Sequence, residues 1–451
     1  MDCVDKEGWS SSLKQLALST MKVLLLGSGG REHAMAWKII QSSLLSKLYV
    51  APGNAGTEEL STNVSLDPMD FPSVGRFIRK NEITMLVVGP EAPLCAGIVD
   101  YFQESDKFDD LIIIGPSKAG ALIEGSKGFA KEFMARHNIP TAAYQTFNSK
   151  QLKAAKAYLD TRTPPYVLKA DGLAAGKGVI ITSDREEAEA TIEDMLINNS
   201  FGDSGSSVVI EQFMEGIEVS CFVVTDGDAY RILPYAKDYK RVGEGDKGPN
   251  TGGMGAVSPV PFVDAEFHEK TLNQIIIPTI KGLNKDEIPF NGFIFIGIMK
   301  VGSDPYVVEY NCRLGDPESE VIIPRMKSDL LHMFDSMGSG LLSEYDLQID
   351  ERAATTVILT SGGYPGSYEN GKVISGLENV PPENEGLVFH AGTTVKRGKT
   401  ISNGGRVISC TGLGAGLEKA LARSYKLAEE IDFSGKQYRK DIGQDVIVPK
   451  N

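Results

Sequence analysis

Four short, almost wholly apolar runs constrain this chain more than any other feature. They are Lys22 to Leu26, Leu48 to Ala51, Met85 to Val88 and Leu111 to Ile114, each followed by a turn containing glycine or proline. Runs this short and this apolar, alternating with helical segments such as Glu32 to Ser42, predict a parallel sheet covered on both faces. In such sheets ligands bind beyond the carboxyl ends of the strands. Those ends here carry the turns Gly27 to Gly30, Pro52 to Thr57, Gly89 to Leu94 and Gly115 to Ser117.

After Ser126 the pattern changes. Tyr166 to Lys169 and Gly178 to Thr182 read as strands flanking a glycine-rich loop. A helix from about Asp184 to Asn198 and a strand from Ser207 to Glu211 follow. Antiparallel strands are expected at Val219 to Thr225, Gly292 to Val301 and Tyr306 to Asn311, and one helix near 415–430. A chain of 451 residues is too long for one ordinary core. The expected division is a tail at 1–20, a Rossmann-like α/β unit at 21–123, and an α+β unit formed by 124–144 and 209–347. A small lid at 145–208 and a β-rich C-terminal unit at 348–451 complete it.

Composition narrows the function. A net charge of −14 argues against a nucleic-acid surface, which needs a basic face. Five scattered cysteines show no CxxC or Cys/His ligand spacing, so a reduced, cytoplasmic setting is expected. No apolar run reaches membrane-spanning length. Residues 1–20 contain acidic side chains and lack both a signal-peptide core and an Arg-rich amphipathic pattern, so they read as a tail or an alternative start ahead of Met21.

Three motifs bear chemistry. The turn in MKVLLLGSGGREHAMAW matches the first two glycines of a dinucleotide fingerprint at Gly27 and Gly29, but the third position is Glu32. A carboxylate there repels a pyrophosphate, and the second strand ends in Ala51-Pro52-Gly53 without the acidic residue that would hold a ribose. Two readings remain: glycines kept for steric reasons, or a phosphate or phosphoribosyl site at the helix start. The loop Gly172 to Gly178 fails the P-loop pattern, with three residues between its glycines and no hydroxyl after Lys177. It reads as an exposed turn or as a hairpin loop closing over a triphosphate. In VVEYNCRLGDPESE, Glu309 and Asn311 share a strand face, with Arg313 next in phase. The pair is either a solvated face or a set of hard oxygen ligands for Mg²⁺; the arginine and glycine-bearing loop after it favour the latter.

Taken in order, GSGGREHA, APGNAGT, VGPEAPL, EGSKGFAK, KADGLAAGKGV, GPNTGGMGA, RLGDPE and RKDIG resemble the phosphoribosylamine–glycine ligase family of the ATP-grasp superfamily, from Met21 to Ile442. One departure is Tyr239 in KDYKRVG, where the family pattern has histidine. The resemblance implies ATP bound between two α+β units. Lys127, Lys169 and Lys177 would face its phosphates beside Gly178, and Glu211, Gln212, Phe213 and Met214 would form the adenine hinge. Glu218 would take the ribose, Arg241 and Asn250 would stand near the reacting end, and Glu309 and Asn311 would hold Mg²⁺ or Mn²⁺. It further implies that glycine is activated as glycyl phosphate and transferred to 5-phosphoribosylamine, a step of purine biosynthesis. Arg313 would stabilise the transferring group and Asp316 would orient an amine. Gly29, Gly30, Arg31, Asn54, Pro90 and Glu91 would hold the phosphoribosylamine. Partners are then small molecules only, without nucleic acid or membrane, and the chain is expected to be a monomer. The alternatives are another ATP-grasp ligase, such as a carboxylase, or a catalytically silent nucleotide-binding protein.

Overall fold

The computed structural model describes residues 20–173, 178–198, 207–379 and 385–447. The tail at 1–19 and Lys177 of the glycine loop lie outside the described residues.

The first sheet is parallel, in the spatial order Thr62–Asn63, Leu45–Pro52, Met21–Gly27, Met85–Val88, Ile112–Ile114. The direction of winding reverses beside Met21–Gly27, so the crevice such sheets use for ligands opens beyond Gly27 and Gly89. Next to it stands an antiparallel sheet in the order Tyr230–Ile232, Ile217–Thr225, Gly292–Val301, Asp304–Asn311.

The period-2 alternation of strands explains how these two sheets join. Val23 and Leu25 share a core with Phe293 and Phe295, while Leu24 and Leu26 share the opposite core with Ile294 and Ile296. Both faces of both sheets are therefore continuous. The seam is closed by a backbone hydrogen bond from Gly115 N to Asn291 O at 2.7 Å.

The lid is a third sheet with its own core around Phe147, Leu168, Ile192 and Ile210. Its order is Tyr144–Asn148, Ser207–Gln212, Tyr166–Ala170, Val179–Thr182. The boundary expected at 208 thus cuts a strand: Ser207–Gln212 is held on both sides by lid partners. A similar difference appears at the C-terminal sheet, ordered Lys237–Asp238, Gly255–Ser258, Ala353–Thr360, Arg406–Gly414, Gly386–His390. Its first two strands come from before 347, because Gly255 to Ser258 pairs along Ala354 to Val357.

Tyr239 belongs to this region. It is buried beside Met254 and Val257, and its hydroxyl donates to Asp445 at 2.6 Å. The residue that departs from the family pattern thus lies with its ring against the C-terminal segment, with the Lys237 ammonium 3.7 Å from its centroid.

Helix Leu417–Glu430 packs on strand Arg406–Gly414, and the contact is backbone to backbone at Gly412. A Cβ there would fall on the Ala420 carbonyl oxygen. Gly412→Ala is expected to cost about 2 kcal/mol or more through overpacking, read as a lower midpoint in urea unfolding.

Candidate active site

The 304–311 strand positions the centre. Tyr310 faces the core, so Glu309 and Asn311 both turn to the open face. Three lysines converge on Glu309. Lys127 starts helix Lys127–Arg136 and bonds Gly172 O at 2.8 Å. Lys169, from the lid, bonds Val308 O at 3.2 Å, and Lys240 stands 3.8 Å from the Glu309 carboxylate. Burial pushes the Glu309 carboxyl up, but Lys240, Lys169 and Lys127 together hold it below the ordinary glutamate value. Burial lowers the Lys127 ammonium, only partly offset by Glu309.

Lys240 also pairs with Glu218. Sequence reasoning missed Lys240, although it sits in the KDYKRVG segment already singled out. Its neighbour Arg241 turns away to Gly248 O at 2.9 Å and pairs across a hairpin with Asn250. Arg439 binds that hairpin to the C-terminal segment through Arg241 O and Asp246. The Arg241 guanidinium is thus bonded within its own hairpin.

Glu211 is buried, with its carboxylate 3.2 Å from Lys131 and 3.0 Å from Lys169. Two ammonium groups occupy it, which differs from a carboxylate aimed at an adenine amino group. Burial lowers Lys131 to about 8. Gln212, Phe213 and Met214 follow at the strand end, Phe213 with its ring exposed. Gly178 is buried, and its carbonyl accepts from Ala170 N at 2.8 Å.

Asn311 donates its amide N–H to Glu124 at 2.9 Å, a bond that uses its nitrogen and not its carbonyl oxygen. Among the described residues no three His, Cys, Asp or Glu side chains form a metal cage. Two hard oxygen donors, the Glu309 carboxylate and the Asn311 carbonyl, on one strand face fit Mg²⁺, which keeps waters and substrate oxygens in its shell.

Beyond Asn311 the chain runs into a second charged cluster. Arg313 pairs with Glu124 at 2.9 Å and Glu91 at 3.3 Å. Burial raises the Glu124 carboxyl, opposed by Arg313. Glu124 was missed because its role is visible only once its helix meets the strand end. Asp316 is bracketed: Oδ1 takes Arg406 at 2.8 Å and Oδ2 takes Arg31 N at 3.2 Å. Burial pushes its carboxyl up, but Arg406 and Arg31 hold it below the ordinary aspartate value.

Several expected phosphoribosylamine contacts need correction. Glu32 folds back over the glycine turn and accepts from Gly29 N at 2.6 Å. A Cβ at Gly27, where φ is +125°, would lie 2.5 Å from the Glu32 carboxyl carbon, and one at Gly89 would meet the same carboxyl. The crevice at the winding reversal is thus filled by a carboxylate. With Gly29 N on Glu32, Arg31 N on Asp316 and Glu320 against Gly30, this helix start is not an open phosphate cradle. The Arg31 guanidinium is itself spent on Glu32 and Leu314 O. Asn54 is buried and committed too. Its Nδ2 donates to Ser28 O, Gly29 O and His390 O, and its Oδ1 accepts from Gly56 N and Thr57 N. Pro90, which precedes helix Glu91–Ala96, is half-buried, and Glu91 stays partly open beside Arg313.

Three family models cover the chain: Phosphoribosylglycinamide synthetase N domain at 21–124, ATP-grasp (A) domain at 125–319 and C domain at 354–445. The chain belongs to the phosphoribosylglycinamide synthetase family. It is 47% identical over 431 residues to the phosphoribosylamine–glycine ligase of Pseudomonas aeruginosa, covering 95% of this chain and 98% of that one. The crystal structure of phosphoribosylamine–glycine ligase from Thermotoga maritima matches with a TM-score of 0.80 at 35% identity, over 93% of this chain and 99% of that one. The biotin carboxylase domain of Hydrogenobacter thermophilus 2-oxoglutarate carboxylase, solved with MgADP and bicarbonate, matches at TM-score 0.71 and 15% identity, over 93% and 92% of the two chains. That last likeness is one of fold alone. The ATP-grasp (A) domain match at 125–319 takes in Lys127, Lys169, Lys240, Glu309 and Asn311. No helix among the described residues is long and apolar enough to cross a membrane.

Two outcomes follow from this geometry. Asn54→Ala removes a helix cap and the amide shared by the Ser28, Gly29 and His390 carbonyls, so it is expected to cost about 2 kcal/mol in urea unfolding while leaving the KM for each substrate unchanged. Glu318, buried against Asp238, has its carboxyl raised from 4.5 to about 7. A raised carboxyl contributes stability that is present below pH 4.5 and is lost as pH rises through about 7. Glu318→Gln mimics the neutral acid, so between pH 5 and 8 it is expected to gain up to about 3 kcal/mol relative to the parent. A difference independent of pH in paired unfolding curves would contradict this.

Proposed function

We propose that this chain joins glycine to 5-phosphoribosylamine at the expense of ATP, giving glycinamide ribonucleotide, ADP and phosphate within purine biosynthesis. The carrying observation is one strand end. Glu309 and Asn311 stand among Lys127, Lys169 and Lys240, and Arg313 follows within two residues, in a chain related along its length to the Pseudomonas ligase.

A carboxylate is a poor acyl donor because its leaving group would be oxide. Transfer of the γ-phosphoryl group to the glycine carboxylate gives glycyl phosphate, from which attack by the amine expels phosphate. No side-chain nucleophile is needed; positioning and charge neutralisation suffice. Lys127 and Lys169 supply positive charge to the triphosphate, and the exposed ring of Phe213 with Met214 offers an apolar edge for the base. Glu309 and Asn311 would hold Mg²⁺ or Mn²⁺, which supplies charge neutralisation and orients phosphate oxygens.

Arg313 is the group for the acyl phosphate. Its guanidinium is aligned by Glu91 and Glu124 and remains partly open at the edge of the lysine cluster. The amine then approaches from the side of Glu91 and the 313–318 loop. Closure of the lid over this centre would exclude water, since glycyl phosphate hydrolyses when exposed.

The test generates phosphoribosylamine in situ and follows ADP. Formation is expected to require both glycine and the amine; release that depends on bicarbonate and ignores glycine would overturn the reading. Glu309→Ala is expected to lower ADP formation at limiting Mg²⁺ on the order of 100-fold, and removal of divalent cations by chelation should stop it.

A further inference from the structure

Arg406 lies outside every motif that pointed to the site, on the C-terminal strand Arg406–Gly414. Its guanidinium reaches into the mouth of the site nonetheless. Nη1 donates to Gly252 O and to Asp316 O, both at 2.6 Å, and Nη2 pairs with Asp316 Oδ1 at 2.8 Å. The two loops it grips are pressed together at a separation that only glycine permits. A Cβ on Gly252 would lie 2.9 Å from the Arg406 guanidinium carbon, and one on Gly253 would fall on Pro317. Tyr364, from the same C-terminal region, takes Gly252 N at 3.0 Å.

The contact extends further. Asp316 passes the constraint on to the first domain, because its other oxygen accepts from Arg31 N at 3.2 Å. One guanidinium therefore links the 252–253 loop, the 313–318 loop and the start of helix Gly30–Ile39. Each of these comes from a different part of the chain, and Arg313 sits at the near end of the second.

We propose that Arg406 is a positioning residue for the ligation: its fork holds the Gly252–Gly253 loop and the Asp316 loop in the one arrangement that places Arg313 and admits the amine. The proposal rests on the ligase reading above. A planar fork suits the role because it can address a carboxylate and two carbonyl oxygens at once, which a single ammonium cannot. At the nucleotide end, Lys127, Lys169 and Phe213 make none of these contacts, and Lys240 meets the loop through its backbone carbonyl, which accepts from Thr251 N at 2.7 Å and Thr251 Oγ1 at 2.8 Å. Loss of the fork should therefore act on the second half of the reaction and spare ATP.

The experiment compares the wild type with Arg406→Ala and Arg406→Lys, measuring KM for ATP, glycine and in-situ phosphoribosylamine, and kcat for ligation. Expected for Arg406→Ala is a KM for ATP within about twofold of wild type and a loss of ten- to a hundredfold in kcat/KM for the amine, the scale of a misplaced reacting group. Added guanidinium ion should restore part of that loss, and Arg406→Lys should fall between the two. Unchanged kinetics in the alanine variant would overturn the proposal. So would an equal loss for all three substrates without guanidinium rescue, which marks a purely structural role. Should the alanine variant fail to fold, the lysine variant carries the same comparison, with a smaller shift confined to the amine expected. A wild type that makes no ADP in response to glycine and the amine would overturn the ligase reading and this proposal together; a normal wild type with an unaffected variant overturns this proposal alone.

Discussion

Buried charge must be paired, and that constraint governs the middle of this molecule. An unpaired buried ion costs several kcal/mol, yet Glu124, Lys169, Glu211 and Arg31 are all buried here. The chain meets the requirement by bringing oppositely charged side chains from separate segments to one place. Lys169 of the lid meets Glu211, Arg313 meets Glu124 and Glu91, and Arg406 meets Asp316. The site is the place where these segments have to meet.

The pairing also sorts the charges by task. At Glu309 three lysines converge, two of them also paired with Glu218 and Glu211, and together they hold its carboxyl in the charged form. At the helix start near Gly29 the sign is reversed: Glu32 and Asp316 take the N–H groups of Gly29 and Arg31 that elsewhere bind phosphate. A helix N-terminus attracts anions, and here the protein supplies them itself. The crevice of the first sheet is thereby closed to a dinucleotide by a side chain.

Much of this is legible in the amino-acid order alone. The short apolar strands, the change of pattern after Ser126 and the shared face of Glu309 and Asn311 all follow from local periodicity, which survives folding unchanged. The departure of Glu32 from the dinucleotide pattern is legible as well, though not that its carboxylate fills the turn. Partners far apart in sequence are not. Glu124 meets Cys312 N and Arg313 across nearly two hundred residues. Arg406 reaches Asp316 across ninety. Asn54 resembles a ligand because a turn asparagine has free polar atoms in isolation; His390 O and the Ser28 and Gly29 carbonyls consume them in the fold.

The sequence by itself determined the element types, the family and the residues able to carry phosphate and metal chemistry, because those depend on spacing along one strand or turn. Only the tertiary structure decided which of those polar atoms stay free. It gave Gly29 and Arg31 to carboxylates, turned Tyr239 toward Asp445, and set Lys240 beside Glu309. The reason is that a hydrogen bond or ion pair is settled by which segments pack together, and no local pattern records that.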